Sequence, residues 1–416
     1  MLASMANAWK IPELRMKLIF TGMMIIIYRF GAHIPVPGVD IDAIKNYIQS
    51  GGGDVLGFLN LFSGGALQNF AVFALGIMPY ITASIILQLL TMAFPQLKEL
   101  SREGEAGQRK LTQYTRYLTV ALALAQAVGF TMLFKTQTEA FPDFTMVKFY
   151  EIVITLTAGT TLLMWIGELI TQHGIGNGIS LLIFASIVSG LVPALFNLGQ
   201  IGLVNTVILG VIAIIVVMAI VMVQEGQRRI TIQYAKRQIG RKMTTGGSTY
   251  LPLNINMAGV IPVIFASSIL MFPPTIANFL PYDWAQSLAE FLGPQGIPFL
   301  VLYVVFIIGF TYFYTAVQFD PMERANDLKK YGGFIPGIRP GRPTAQYLDR
   351  VLTRLTLPGA VFLAAIAVMP NILIMVMDIN FFFGGTSILI VVGVALQTMK
   401  QMESQLLMRH YEGFLK

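Results

Sequence analysis

Histidine, cysteine and acidic residues carry most enzyme and metal chemistry, and their placement in this sequence argues against both. The three histidines, His33, His173 and His410, are far apart and have no companion ligands at the spacing of a metal site. The chain has no cysteine, which excludes disulfides, thiol catalysis and cysteine metal sites. It also lacks the Gly-x-x-x-x-Gly-Lys-Ser/Thr pattern of a nucleotide-binding P-loop. We therefore predict a protein that is not an enzyme, holds no metal or cofactor and does not bind nucleotide directly.

The run Gly174-Ile175-Gly176-Asn177-Gly178 is rich enough in glycine to suggest a dinucleotide-binding loop. However, it joins two apolar segments and follows no strand, whereas such a loop connects a strand to a helix. The sequence therefore favours a tight turn between two membrane helices.

Charged side chains inside apolar segments would indicate ion-coupled transport, because each costs about 2.5–3.5 kcal/mol at a helix centre. Glu168, Asp320 and Asp378 fall near the ends of apolar segments, and Arg29, the deepest charge, lies in the outer half of the first. No carboxylate or histidine lies near the middle of a segment. We expect that no proton relay within this chain drives transport.

The composition indicates that lipid is the main solvent of the chain. Of 416 residues, 55% are hydrophobic and only 12% are charged, about half the charged fraction of a soluble protein. Apolar runs of about 20 residues predict ten membrane-spanning helices. They cover residues 18–37, 71–93, 113–134, 149–170, 178–197, 203–223, 257–277, 299–319, 356–377 and 384–402.

Basic residues predict how the ten helices are oriented. With both termini in the cytoplasm, 24 of the 28 Lys and Arg residues fall on the inner side and only Lys45, Lys135 and Lys148 on the outer side. Two long inner loops, 224–256 and 320–355, hold thirteen of them. A multi-pass membrane protein with both termini in the cytoplasm is the expected arrangement.

The two inner loops carry local patterns of their own. In the first, Ile230, Ile232 and Tyr234 alternate with polar residues, which is typical of a strand. In the second, Gly337-Ile338-Arg339-Pro340-Gly341 favours a rigid turn with an arginine at its tip. Anchoring to anionic lipid headgroups is one interpretation of such basic loops. Their length and patterning favour the other, a platform on which partners dock.

When the ten predicted helices are divided into two halves of five, proline and glycine interrupt the second helix of each half. Pro79 follows Gly76, and Pro262 follows Gly259. Such breaks are tolerated where protein or a water-filled cavity satisfies the backbone. Five helices per half force the halves into opposite orientations, so residues 1–200 and 201–416 are predicted to form an inverted pseudo-repeat around a central pore. The fold class is therefore an all-α polytopic membrane protein.

Several ordered motifs then carry a family resemblance. They are Phe62-Ser63-Gly64-Gly65-Ala66-Leu67, Phe73-Ala74-Leu75-Gly76-Ile77-Met78-Pro79-Tyr80-Ile81, Gly174-Ile175-Gly176-Asn177-Gly178-Ile179-Ser180, Asn256-Met257-Ala258-Gly259-Val260-Ile261-Pro262 and Phe334-Ile335-Pro336-Gly337-Ile338-Arg339-Pro340-Gly341. From about residue 14 to residue 400 the chain resembles the SecY/Sec61-alpha family, the channel subunits of the Sec protein translocase. The resemblance implies a channel that passes unfolded preproteins across the membrane and releases transmembrane segments sideways into lipid.

The resemblance also implies roles for particular residues. A ring of apolar side chains narrows the pore in this family, and the matching positions are Ile77, Ile81, Ile183, Ile187, Ile264 and Ile390. The segment 55–69 resembles the plug that closes the outer funnel, with Leu59, Asn60, Phe62, Ser63, Gly64 and Gly65 at its centre. The lateral gate would include Thr82, Gln88, Asn256 and Phe272. Arg228, Arg229, Lys236, Arg237 and Arg339 match positions at which partners dock.

The implied partners are the SecE and SecG subunits, the motor ATPase SecA, the ribosome, signal peptides, unfolded preproteins and membrane lipids. A partner would supply the energy, which agrees with the missing P-loop. Two alternatives stay open at this point. A 5+5 inverted-repeat secondary transporter for a small solute would need a polar site at the membrane midplane. An insertase or scaffold would lack a water-filled path.

Overall fold

The computed structural model describes residues 9, 11–49, 54–138, 140–141, 144–197, 203–234, 238–239, 242–243, 247–279, 282, 287, 291–293, 296–377 and 385–414. In chain order, the helices of the first part are α1 (Pro12–Gly31), α2 (Ile41–Gln49), α3 (Asp54–Phe62), α4 (Met78–Ala93), α5 (Pro95–Arg102), α6 (Glu105–Gln137), α7 (Met146–His173), α8 (Gly178–Asn197) and α9 (Leu203–Glu225). Four strands follow, β1 (Gln227–Tyr234), β2 (Gln238–Ile239), β3 (Lys242–Met243) and β4 (Ser248–Asn254). The remaining elements are α10 (Ile261–Phe279), α11 (Ile297–Gln318), α12 (Pro321–Lys330), β5 (Gly333–Phe334), α13 (Arg342–Met377) and α14 (Gly385–Phe414).

The fold is mostly helical, as predicted, and each of the ten predicted spans overlaps one helix. In chain order these are α1, α4, α6, α7, α8, α9, α10, α11, α13 and α14. Within the part of the chain that the structure describes, five helices are by themselves long and apolar enough to cross a membrane. Joining α4 and α5, which are bent by 103° where they meet, gives up to six. The number ten therefore stays a prediction from the sequence.

Proline determines where several helices begin and end. The predicted second span starts at residue 71, but α4 begins only at Met78, with Pro79 in its first turn. Proline is tolerated there because the first backbone N–H groups of a helix have no partner inside it. At the other end, Phe94 is extended, with φ −107° and ψ 118°, because the following Pro95 disfavours helical geometry in the residue before it. The sharp bend between α4 and α5 follows from this residue pair.

The described residues cluster into two compact units. The first contains residues 1–206, 267–300 and 394–416, and the second contains 207–266 and 301–393. In the first unit, Phe70 packs edge-on against Phe134 with ring centroids 5.5 Å apart. Short backbone bonds from Val36 N to Phe70 O (3.0 Å) and from Val72 N to Ile34 O (2.9 Å) fasten this point to the segment after α1. The boundary near residue 200 predicted from the sequence stays a prediction.

The second unit contains a small antiparallel sheet, with strand order β4-β1-β5. Ile230 and Ile232 of β1 are buried and their neighbours exposed, which confirms the predicted strand. Tyr234 departs from the alternation, because it stays 37% exposed where β1 pairs with the two-residue strand β5. Ile230 belongs to an apolar cluster that ties the sheet to α13; the other buried members are Leu253, Phe319, Ile335, Leu348 and Leu352.

An ion pair ties α6 to α7. Arg116 Nε and Nη2 donate to the two carboxylate oxygens of Glu168 at 2.8 and 2.6 Å, a bidentate geometry. The Glu168 side chain is 12% exposed and that of Arg116 is 45% exposed. A second pair, Arg109–Glu105, lies within α6 and is exposed on both sides. The two pairs therefore form a natural comparison between a shielded and an exposed ion pair.

We expect Glu168→Gln to lower the free energy of unfolding by about 1–2 kcal/mol, because Arg116 loses a charge-assisted partner. This value is already reduced for the partial exposure of Arg116. Glu105→Gln is the matched control, with an expected loss below about 0.5 kcal/mol, since exposed i,i+4 pairs are weak. Thermal unfolding of the purified protein in detergent measures both. Equal losses for the two variants would contradict a structural role for the pair between α6 and α7.

Candidate functional site

The second helix of each predicted half begins with the same local geometry. Gly76 has φ +58° and lies three residues before Pro79, while Gly259 has φ +63° and lies three residues before Pro262. In α4 and in α10 the proline is the second helical residue. A glycine tolerates the left-handed backbone that a bulkier residue resists, and the proline then starts the helix. The breaks predicted from the sequence are thus helix starts, with the preceding chain in turns.

Four of the predicted ring residues lie in the first unit. Ile77 is the residue before α4 and accepts a backbone hydrogen bond from Ile81 at 3.1 Å, so the two lie one turn apart. Ile183 and Ile187 are also one turn apart, on α8. All four side chains are buried, with exposed fractions of at most 5%.

The other two ring residues lie in the second unit. Ile264 follows the start of α10 and is 6% exposed, and Ile390 of α14 is fully buried. All six positions thus carry stiff β-branched side chains that water does not reach. Such side chains offer no group that could bind an ion or donate a proton. Their chemical capacity is to pack and to exclude water.

The predicted plug segment is helical only in its first part. α3 ends at Phe62, and residues 63–70 continue as turns in which Gly64 and Gly65 have φ +65° and +85°. Two local pairs hold helix and turns together. Asn60 Nδ2 donates to Gln68 Oε1 at 3.2 Å and Gln68 N donates to Asn60 Oδ1 at 2.9 Å, while Leu67 N donates to Ser63 Oγ at 3.1 Å. Leu59 is half-buried and Phe62 is buried.

Two residues of α1 contact this segment, and the sequence did not predict either contact. Arg29 Nη1 donates to Gly64 O at 2.8 Å. The Tyr28 hydroxyl donates to Ser63 O at 3.1 Å and also forms a hydrogen bond with Ser186 Oγ of α8. The sequence held one signal for these contacts. Arg29 is a charge inside an apolar helix, and such a charge needs a polar partner.

Three of the four predicted gate residues are polar, and the hydrogen bonds described for Thr82 and Asn256 are local. Thr82 Oγ1 donates to Met78 O within α4 at 3.0 Å, and Gln88 is half-buried on the same helix. Asn256 is 7% exposed and its Nδ2 donates to Gly259 O at 3.0 Å, which holds the turn before α10. Its Oδ1 has no hydrogen-bond partner among the described residues. The side chain of Phe272 lies outside the described part of the chain.

The predicted docking residues lie on the sheet and on the turn before α13. Arg228 and Arg229 are exposed on β1, and Arg339 is exposed between Gly337 (φ +81°) and Gly341 (φ +97°). Thr344 Oγ1 donates to Arg339 O at 2.8 Å, so the turn is fastened at its tip. Lys236 and Arg237 lie outside the described residues. Within the part of the chain that the structure describes, no group of three or more acidic or histidine side chains is placed to hold a metal ion.

Comparisons with known proteins agree on one family. The family model described as SecY matches residues 71–399. The protein translocase subunit SecY of Streptomyces coelicolor is 49% identical over 439 residues, and that of Mycobacterium tuberculosis is 46% identical over 445 residues; both alignments cover 100% of each chain.

Solved structures match over nearly the whole chain as well. A protein-conducting channel superposes with a TM-score of 0.65 at 20% identity, covering 96% of both chains. Sec61 in a canine ribosome–channel complex from the endoplasmic reticulum gives 0.62 at 20% identity, again covering 96% of both. At this level of identity the structural matches establish the fold.

Proposed function

The chain belongs to the SecY family, and we propose on that basis that it is the protein-conducting channel of a bacterial protein translocase. The observation that carries this proposal is the full-length relationship, close to half of all residues identical, to protein translocase subunits. The channel would pass unfolded preproteins across the plasma membrane and release transmembrane segments sideways into lipid. It would be a multi-pass protein with both termini in the cytoplasm, consistent with the one-sided distribution of its basic residues.

The six isoleucines form the seal of this proposed channel. Each is a stiff apolar side chain shielded from water, which suits a constriction that excludes ions because water does not fill it. Their side chains can part around an extended polypeptide, since no specific bond holds them together. The plug, residues 55–69, would close the outer funnel, and the lateral gate would be formed by Thr82, Gln88, Asn256 and Phe272.

Docking partners would supply the energy. The exposed Arg228, Arg229 and Arg339, together with Lys236 and Arg237, are the proposed contact residues for SecA or the ribosome. The canine Sec61 neighbour was solved in a ribosome–channel complex, which supports a ribosome partner. SecE and SecG are the proposed companion subunits of the channel.

The secondary-transporter alternative is not supported, because the full-length relatives are translocase subunits and the structural neighbours are protein-conducting channels.

Reconstitution tests the proposed function. We expect vesicles containing this chain and SecE to take up an unfolded preprotein when SecA and ATP are added, and to need a signal peptide on it. Protease protection of the imported preprotein measures the reaction. A preprotein without its signal peptide is the control. Uptake no greater than in vesicles that lack the chain would contradict the proposal.

A further inference from the structure

Arg29 is a charged residue in an apolar helix, where a charged side chain is energetically costly. It lies in the last turn of α1, which is otherwise apolar over its outer half. Neither ion pair described above involves Arg29, and its side-chain contact is with a backbone carbonyl group of the plug segment. A cation in this position is costly unless polar groups of the protein take up its N–H donors. The contacts of the Arg29 side chain therefore indicate which groups stabilise its charge.

The partner of Arg29 is the end of the plug helix. Its Nη1 atom donates to the carbonyl oxygen of Gly64 at 2.8 Å, two residues beyond the end of α3 at Phe62. The carbonyl groups of Leu59, Asn60 and Leu61 at the end of α3 already accept backbone hydrogen bonds, so Arg29 binds the turn that follows the helix. A guanidinium group at this point gains a charge-assisted hydrogen bond and lies near the negative end of the helix dipole.

Tyr28, the preceding residue, provides a second hold on the same end of α3. It is 2% exposed, and its hydroxyl group reaches both Ser63 O and the hydroxyl of Ser186 on α8. The Tyr28 hydrogen goes to Ser63 O, so the bond between the two hydroxyl groups uses the Ser186 hydrogen. Leu182 O, 2.9 Å from Ser186 Oγ within α8, is the alternative acceptor of that hydrogen. The plug end is thereby joined to α1 and α8 at once.

The fit around Gly64 leaves no room for a side chain. A Cβ atom at this position would lie 2.8 Å from Arg29 Nη1, 2.9 Å from Ser186 Cα and 3.2 Å from Ser189 Oγ. Gly64 also has φ +65°, which other residues adopt only with strain. The absence of a side chain lets the backbone carbonyl approach both helices.

We propose that Tyr28 and Arg29 form a latch that holds the plug closed by binding the carbonyl groups of Ser63 and Gly64, with Ser186 holding the Tyr28 hydroxyl group in place. This inference rests on the proposed channel function and names the residues that set its resting state. The Asn60–Gln68 pair and the Ser63–Leu67 bond make the plug segment one body, so the latch bonds at its end restrain the whole segment. Opening the channel then requires these latch bonds to break.

Thiol labelling tests the latch, because the chain has no cysteine of its own. Ala66→Cys places a small thiol at a plug site that is fully buried and whose side chain makes none of the latch or plug hydrogen bonds, so a polar maleimide reacts with it when the plug moves away. In this background, Arg29→Met is expected to raise the labelling rate about tenfold or more, as the loss of a charge-assisted bond implies. Tyr28→Phe is expected to raise it about threefold.

Gly64→Ala attacks the same contact from the plug side and leaves α1 untouched, so it covers the case in which Arg29→Met does not fold. It should also increase labelling. Combined with Arg29→Met it should raise the rate by less than the product of the two single effects, because both changes break the Arg29–Gly64 bond. Arg15→Met, an exposed arginine at the other end of α1, is the matched control and should leave the rate unchanged.

Two results would overturn the latch. The first is unchanged labelling in both Arg29→Met and Gly64→Ala. The second is a double variant whose effect is the product of the single ones, which would indicate independent local damage. Preprotein uptake is measured on the unsubstituted chain, so neither result changes it. A failure of the latch is therefore distinguishable from a failure of the channel function.

Discussion

Replacing Ile81, Ile183 and Ile264 together with serine is expected to make the resting channel leak ions, raising its conductance about tenfold or more. The three side chains are buried, with exposed fractions of 5%, 2% and 6%. Serine removes the apolar surface and supplies a hydroxyl group that binds water. The constriction then wets, and ions pass through it without a preprotein.

Planar-bilayer recording of the purified channel measures this effect. The matched control is serine at Ile214 and Ile215, which are 63% and 54% exposed on the apolar helix α9 and are not ring positions. The control should conduct like the unsubstituted channel. Unchanged conductance in the triple ring variant would show that these isoleucines are not the seal.

Arg339→Glu is expected to reduce preprotein translocation about tenfold or more while leaving the fold intact. Arg339 is exposed, so its side chain contributes little to packing. Its backbone is nevertheless held in place by Thr344, and the buried Ile335 fixes the start of the same turn in the apolar cluster of the second unit. A charge presented on a rigid turn can contribute to docking without loss of ordering entropy, and reversing it replaces attraction with repulsion.

The translocation rate with SecA and ATP, measured at matched amounts of folded protein, tests this prediction. Arg350→Glu makes the same charge change at an exposed position on α13 and should reduce the rate much less. A native rate for Arg339→Glu would remove Arg339 from the docking surface.

The helices were largely predictable, because an apolar run of sufficient length has few alternatives in lipid. Their starts were less so. The prediction placed the second span at residue 71, whereas Gly76 and Pro79 delay α4 to Met78. A closer reading of Pro79 as a first-turn residue would have found this start.

The long inner loops contain more regular structure than the sequence suggested. Residues 320–355 were predicted as a loop, yet α12 begins at Pro321 and α13 at Arg342. The start of α12 carries an ordinary signal, since Asp320 accepts hydrogen bonds from the backbone of Met322 and Glu323 as a helix cap. Strand β4 had no comparable signal, because its pairing with β1 depends on the chain returning from residue 234 to residue 248.

Contacts between distant residues could not be predicted from one sequence. The depth of Arg29 indicated that it needs a partner, but nothing in the sequence pointed to Gly64, whose carbonyl group is a backbone atom. The same holds for Arg116 and Glu168, which are 52 residues apart. Side-chain types reveal which residues need a partner, whereas the fold determines which partner they receive.

The path of the translocated chain is the central claim, and one crosslinking measurement tests it most directly. A preprotein with a single cysteine is arrested midway through a channel that carries Ile81→Cys, and disulfide formation is measured. The absence of native cysteines makes any crosslink specific. We expect a strong crosslink at position 81 and none at Ile214→Cys on α9. Equal crosslinking at both positions, or none at position 81 while the preprotein is arrested, would contradict the account.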